Sequence, residues 1–183
     1  MFYRLTTMIA GVPVMLLLSF VPATAQSSRP PQQTYAVAGA PRPGQLFEDR
    51  HGRYSLYIPP GWEATLSGDD PIFRNGTSWI QVRFVTANSA AAAVDRAVDL
   101  FRSQFTSFNT INRGNTTIAE RASYGLNVDA TTSGGQHVSL LLTAQPQSRN
   151  QYFVLISATP VAQAPELNTS VMALANSVHF TGQ

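Results

Sequence analysis

The sequence predicts an α+β fold, in which an antiparallel sheet carries helices on both faces as an α/β/α sandwich. Segments with alternating apolar residues, typical of strands, occur in two groups that are punctuated by short turn sequences. Two other segments place apolar residues at helical spacing, one between these groups and one at the end of the chain. One strand segment is apolar on both faces, which indicates a sheet covered on both sides.

Residues 1–25 have the features of a signal peptide, and residues 26–45 those of a flexible Pro/Gln/Ala-rich tether. Arg4 precedes an apolar stretch that is shorter than the ~20 residues of a membrane span. Small residues ending at Ala25 suit a signal peptidase, so we expect cleavage after Ala25 and a periplasmic or secreted protein. Residues 46–183 remain as a single domain.

The composition excludes several kinds of chemistry. The chain has no cysteine, which removes disulfides, thiolate metal sites and cysteine nucleophiles and, with the export signal, favours a bacterial envelope protein. All 12 basic residues are arginines, and the predicted domain is close to neutral because three of them precede it. Without a basic stripe, we do not expect a nucleic-acid partner.

The first group of strands begins with "RYSLYIP", in which Tyr54, Leu56 and Ile58 share one face. The following "PPG" ends that strand, because proline donates no hydrogen bond to a ladder and glycine permits a turn. The segment "WEATLS", which begins at Trp62, then predicts a second strand. We expect these two strands to form a hairpin-like pair.

The next two strands are joined by Asn75-Gly76, a strong signal for a two-residue hairpin turn. In the longer of these strands Ile80, Val82 and Phe84 share one face, and polar residues lie opposite.

A helix is predicted after these strands, with Ser89 as its N-cap. Apolar residues continue at helical spacing for about five turns, as far as Phe108. We expect this apolar stripe to pack on the sheet; its members are Val94, Val98, Phe101, Phe105 and Phe108.

The second group contains a predicted hairpin and a strand that is apolar on both faces. The turn at residues 133–135 joins two alternating strands, "YGLNVDATT" and "QHVSLLLTA". The doubly apolar strand is "QYFVLISA", which we expect in the middle of the sheet. A final helix follows, with Pro165 in its first turn and a stripe of Leu167, Val171, Leu174 and Val178.

Recognised catalytic and cofactor motifs are missing from the sequence, so we expect neither an enzyme nor a bound cofactor. His51, His137 and His179 do not share a metal-ligand spacing, and no metal site is predicted from them. Asp69 and Asp70 suit either a calcium ion or a solvated turn before proline, and the turn is favoured.

Four side chains are candidates for contact with a ligand or partner: Trp79, Arg83, Trp62 and Tyr57. Trp79 and Arg83 alternate with Ile80, so they face away from the apolar side of their strand. Trp62 suits a core anchor better than a pocket wall, because it directly follows the rigid "PPG" sequence.

The stretch "GRYSLYIPPGW" resembles the opening of PsbP-like domains, in which a glycine precedes an alternating strand that ends in P-x-G-W. The order of the predicted elements over residues 47–180 is similar to that family too. The resemblance implies an α/β/α sandwich and a binding, assembly or chaperone-like role. It carries over no ion site, because no residues here match one.

Three functional hypotheses follow from these observations. The first is a non-catalytic exported module that binds, assembles or chaperones another protein or an envelope component. The second is a carrier of a small apolar ligand, held in a cavity between Trp79 and the phenylalanines of the first helix. The third is a hydrolase or metal-dependent enzyme built from dispersed residues such as His51, His137, Asp69 and Glu63.

Overall fold

The computed structural model describes residues 44–67 and 69–181. The predicted signal peptide and the tether up to residue 43 lie outside the described residues. In the described part no helix is long and apolar enough to cross a membrane. The elements are β1 (Gln45–Glu48), β2 (Tyr54–Ile58), β3 (Glu63–Ser67), β4 (Asp70–Asn75), β5 (Ser78–Thr86), α1 (Ala90–Phe101), β6 (Phe105–Ile118), β7 (Arg121–Thr132), β8 (His137–Ser148), β9 (Gln151–Pro160), α2 (Ala164–Asn176) and β10 (His179–Phe180).

The strands form two antiparallel sheets. A large sheet has the order β3-β4-β5-β9-β8-β7-β6, and a small sheet has the order β1-β2-β10. Strand β9 is the fourth of the seven strands in the large sheet, and residues 152–160 are all buried. The prediction of a doubly covered central strand is therefore confirmed.

One face of the large sheet is covered by α1, and we call it the α1 side. Its core contains Val154 and Ile156 of β9, together with Val94 and Phe101 of α1. The stripe of α1 lies on this core because its buried residues recur at the helical period.

The opposite face, the α2 side, is covered jointly by α2 and the small sheet. Its core combines Phe153 and Leu155 of β9 with Leu174 of α2 and with Leu56 and Tyr54 of β2. The predicted sandwich is thus correct in part. The chain is mostly strand, and a second sheet shares one outer layer with the helix.

The prediction of a five-turn helix is wrong in its second half. Helix α1 ends at Phe101, a short 3₁₀ turn follows, and Phe105 and Phe108 lie on β6. Their rings still pack against the α1-side core, with ring centroids 5.9 Å apart for Phe101 and Phe105 and 6.1 Å apart for Phe105 and Phe108. The aromatic and β-branched residues after Gln104 favour a strand, so tertiary contact and not helical geometry explains the spacing.

The predicted pairing of β2 with β3 is also wrong, since the two strands belong to different sheets. Strand β2 pairs with β1 and β10, whereas β3 pairs with β4. Residues 59–61 carry the chain from the small sheet to the large one, with Gly61 at a φ of +83°. The backbone N–H of Trp62 donates to the Pro59 carbonyl at 3.2 Å and closes this crossover.

The hairpin predicted from Asn75-Gly76 is present, but its turn is shifted by one residue. Asn75 ends β4 opposite Ser78, so residues 76 and 77 form the loop, and Gly76 has a φ of +56°. The turn predicted at Asp69-Asp70 is correct for Asp69 only, because Asp70 begins β4. The remaining turn and the cap are as predicted. The turn at residues 133–135 joins β7 to β8. The Ser89 hydroxyl accepts from the Ala92 N–H at 3.1 Å, as expected of an N-cap.

An ion pair organises the turn between β1 and β2. The Asp49 carboxylate, which is almost fully buried, accepts from Arg53 Nε at 2.7 Å and from Arg53 Nη2 at 2.9 Å. It also accepts from the backbone N–H groups of Arg53 and His51. The hydrogen bond from the Arg53 side chain is the main reason why the pKa of Asp49 lies below its usual value.

Trp62 is only 6% exposed, and its indole lies in the α2-side core. We expect Trp62→Ala to destabilise the fold by about 3–5 kcal/mol and to lower the melting temperature by roughly 10 °C or more. Tyr57→Ala is the control, because that ring is 46% exposed; it is expected to change the melting temperature little. A Trp62→Ala protein that melts like the wild type would contradict the assignment of Trp62 as a core anchor.

The Asp49–Arg53 pair predicts a loss of stability in acid. Because the pKa of Asp49 is depressed in the folded state, its contribution is present above the unfolded pKa near 4 and is lost as the pH falls through the folded pKa. Asp49→Asn should therefore be less stable than the wild type at pH 7, and denaturant titrations should show this difference narrowing below about pH 4. Asp95→Asn, which removes an exposed pair with Arg113, serves as the control.

Candidate functional site

The α1 side of β3, β4 and β5 forms a candidate contact surface beside the helix. Helix α1 packs against β7, β8, β9 and the adjoining β5. Beyond it the side chains of the three outer strands are exposed or half-buried. We call this surface the open face; it consists of Glu63, Thr65, Ser67, Asp70, Ile72, Arg74, Trp79, Gln81 and Arg83.

The register of the hairpin brings these side chains together. Because Asn75 lies opposite Ser78, the preceding positions align Arg74 with Trp79 and Ile72 with Gln81. Alternation along each strand then places all of them on one face. Strand β3 extends the same rows, and all five of its residues are exposed.

Trp79 lies at the boundary between the open face and the interior. Its side chain is half-buried and packs against the α1-side core, while Arg74 and Ala158 flank it on the neighbouring strands. Ile72, also half-buried, lies one row away. The open face therefore has an apolar centre that is held by the adjoining α1-side core.

Arg83 forms a charged pair next to this centre. Its Nη2 and Nε atoms lie 2.6 Å and 2.9 Å from Asp70 Oδ2, and the Gln81 amide nitrogen lies 3.5 Å from the same oxygen. Both charged side chains are about one quarter exposed. The pair is satisfied within the protein, so it shapes the surface without leaving a free charge at this point.

The groups of the open face suit contact better than reaction chemistry. Two carboxylates and two guanidinium groups balance each other, and an indole, an amide, two hydroxyls and an isoleucine side chain complete the set. Tryptophan and arginine, both present on this face, are enriched in protein interfaces.

The four predicted contact residues lie in three separate places. Trp79 and Arg83 lie on the open face. Trp62 is buried on the α2 side of the large sheet. Tyr57 lies on the outer face of the small sheet, directly opposite the exposed Leu46.

Sequence reasoning missed Ile72, Arg74 and Gln81 as members of the open face. A signal for them was nevertheless available, since the hairpin expected near Asn75-Gly76 and the alternation along its strands place these residues on the same face as Trp79, although the loop lies at residues 76 and 77. What the sequence could not indicate is that α1 leaves these strands uncovered.

The residues named for the enzyme hypothesis are dispersed. Asp69 pairs with Arg50 beside the exposed His51, and Glu63 lies at the opposite end of β3. His137 begins β8, which three strands separate from β3. Within residues 44–67 and 69–181, no three His, Asp or Glu side chains are placed to hold a metal ion.

The phenylalanines named for the carrier hypothesis contact one another. Phe105 packs edge-on against both Phe101 and Phe108, and Arg102 lies 4.4 Å from the centre of the Phe108 ring. Protein side chains therefore occupy this part of the α1-side core, and the carrier hypothesis gains no support from it.

Comparison with protein-family models and with curated proteins finds no match. Solved structures do match. The cyanobacterial PsbP (CyanoP) of Synechocystis sp. PCC 6803 is 16% identical, with a TM-score of 0.55 over 78% of this chain and 96% of that one. The Saccharomyces cerevisiae Ran-binding protein Mog1p is 12% identical, with a TM-score of 0.53 over 74% of this chain and 94% of that one.

At these identities the matches establish architecture and not activity. They cover most of this chain and almost all of each matched chain. The resemblance predicted from the opening stretch is thus confirmed at the level of structure: the chain has the PsbP-like fold.

Proposed function

We propose that this chain is a non-catalytic, exported binding or assembly module that contacts another envelope or secreted protein through its open face. One observation carries the proposal: Trp79 lies half-buried on an exposed part of the large sheet, on the same face as the satisfied Arg83–Asp70 pair.

The energetics of association favour such a surface. Trp79 is already packed against the core, so it loses little side-chain freedom when a partner covers it. Because Arg83 and Asp70 already neutralise each other, a partner that covers them leaves neither charge buried without its counter-ion. Tryptophan and arginine are also the residue types most enriched among those that dominate binding energy.

The comparisons support a protein partner by analogy only. One matched structure is described as a Ran-binding protein, and it shares the fold at 12% identity. The near-neutral domain does not favour nucleic acid as a partner.

Site-specific photocrosslinking in the organism of origin tests this proposal. A photoreactive residue at Arg74 or Thr65, both exposed on the open face, should give a discrete adduct with the same partner. A probe at Leu100, which is 59% exposed on α1, is the control and should not give that adduct. Equal labelling from all three positions, or adducts from Leu100 alone, would contradict the proposal.

Substitution of the anchor gives a quantitative test once the partner is identified. Trp79→Ala should weaken binding by roughly 30-fold, the effect typical of a central interface tryptophan. Leu100→Ala should change affinity less than about twofold. Circular dichroism must show that Trp79→Ala is still folded, and unchanged affinity in that folded variant would move the contact surface elsewhere.

The exported state is part of the proposal. The mature protein, isolated from the envelope or the medium, should begin at Gln26, because the signal sequence ends with small residues at Ala25. Intact-mass measurement of the native protein checks this, and recovery of the full-length chain from the cytoplasm would refute it. A charged substitution, Ala25→Arg, should block processing and leave the precursor in the cell.

A further inference from the structure

Buried polar side chains of the large sheet lie on one side of it. Within the described residues, the buried side chains that face α1 are apolar apart from the Tyr152 hydroxyl. Those that face α2 include several hydroxyls and an amide: Ser78, Ser123, Thr143, Gln145, Ser157 and Thr159. The same layer contains four buried polar atoms without a protein hydrogen-bond partner: Tyr54 Oη, Trp62 Nε1, Ser78 Oγ and Gln145 Oε1.

Two of these four atoms belong to one row across the sheet. Glu63 is paired with Arg74, and extension of this register by one residue places Trp62, just before β3, opposite Asn75. Asn75 is paired with Ser78, and extension of the β5–β9 register places Ser78 opposite Thr159. All of them point to the α2 side, because they alternate with open-face residues.

Asn75 also lies close to the crossover between the sheets. A Cβ atom added to Gly61 would lie 3.5 Å from the Asn75 Nδ2 atom. The Asn75 side chain of the polar row therefore lies next to the crossover at Gly61.

The unpaired groups at this place have complementary hydrogen-bonding needs. The Trp62 indole N–H is a donor only, whereas the Ser78 hydroxyl can donate and accept. Ser78 is 0% exposed and Trp62 is 6% exposed, so bulk solvent does not satisfy them. Buried polar groups in this situation are usually bridged by an internal water, which needs two to four polar partners.

We propose that Trp62, Asn75, Ser78 and Thr159 form an internal binding site for an ordered water molecule. The water accepts from Trp62 Nε1 and bonds to Ser78 Oγ, with Asn75 and Thr159 as its remaining neighbours. It ties the crossover at residues 59–61 to the large sheet. This inference does not depend on the proposed function of the open face.

A crystal structure of the wild-type domain at about 1.5 Å resolution tests the site directly. The expected result is an isolated density peak within about 3.2 Å of both Trp62 Nε1 and Ser78 Oγ. Absence of such a peak overturns the proposal. It is also overturned if Asn75 is found to bond directly to the Trp62 indole.

The melting temperature of Ser78→Ala gives an independent test, because it should fall if the water is present and stay the same or rise if it is not. If the water is present, Ser78→Ala removes one of its partners and lowers the melting temperature by about 4 °C or more. If the hydroxyl has no partner, Ser78→Ala removes a desolvated polar group, and the melting temperature stays the same or rises. The second result refutes the site.

A double-mutant cycle with Trp62→Phe, which keeps an aromatic ring and removes the N–H, shows whether the two groups share one ligand. The destabilisations by Trp62→Phe and Ser78→Ala should be clearly less than additive, because either change removes the shared water. The control is Ser157→Ala, since that hydroxyl bonds to the Leu141 carbonyl at 3.4 Å. Additivity of Trp62→Phe with Ser78→Ala, to the same degree as with Ser157→Ala, overturns the proposal.

Discussion

The double burial of β9 is the constraint on which the rest of the structure depends. This strand is apolar on both faces, so a layer must exclude water from each of them. Helix α1 supplies one layer, and α2 supplies only part of the other. The small sheet completes the second layer, and this explains why the chain crosses from β2 to β3 between sheets and returns through β10.

The open face is a consequence of the unequal size of these layers. Seven strands spaced about 4.8 Å apart span roughly 29 Å, whereas a helix with its side chains is about 10–12 Å wide. A single 12-residue helix cannot cover that width. Since α1 packs over β7 to β9 and only the end of β5 around Val85, the rest of β5 and the whole of β4 and β3 stay uncovered on this side and carry polar or half-buried side chains. The candidate site thus arises from the architecture and not from a local motif.

The layers explain which features could be predicted from the sequence. Strand faces, the Asn75-Gly76 hairpin and the Ser89 cap depend on neighbouring residues, and alternation alone places Trp79 and Arg83 opposite Ile80. The prediction for the second half of the first helix failed because Phe105 and Phe108, although spaced as on a helix, lie on a strand. Their rings reach the α1-side core from there by tertiary contact. The β2–β3 pairing failed because a turn sequence does not specify whether the next strand stays in the same sheet. Ile72 and Arg74 could not be identified as surface residues of the site from the sequence, because the sequence does not specify which strands α1 covers.

The two tryptophans of the chain lie on opposite sides of the large sheet. Trp62 stabilises the fold, whereas Trp79 is the proposed contact residue. Trp62 closes the crossover and fills the α2-side core, where polar groups are numerous and hydrogen bonding decides the local structure. Trp79 rests on the apolar α1-side core, which contains none of the unpaired polar atoms found in the described residues. A close-packed apolar layer resists local rearrangement, so it holds Trp79 in a fixed position at the surface. The rigid layer therefore lies beside the open face, on the same side of the sheet, and preorganises its aromatic anchor for contact.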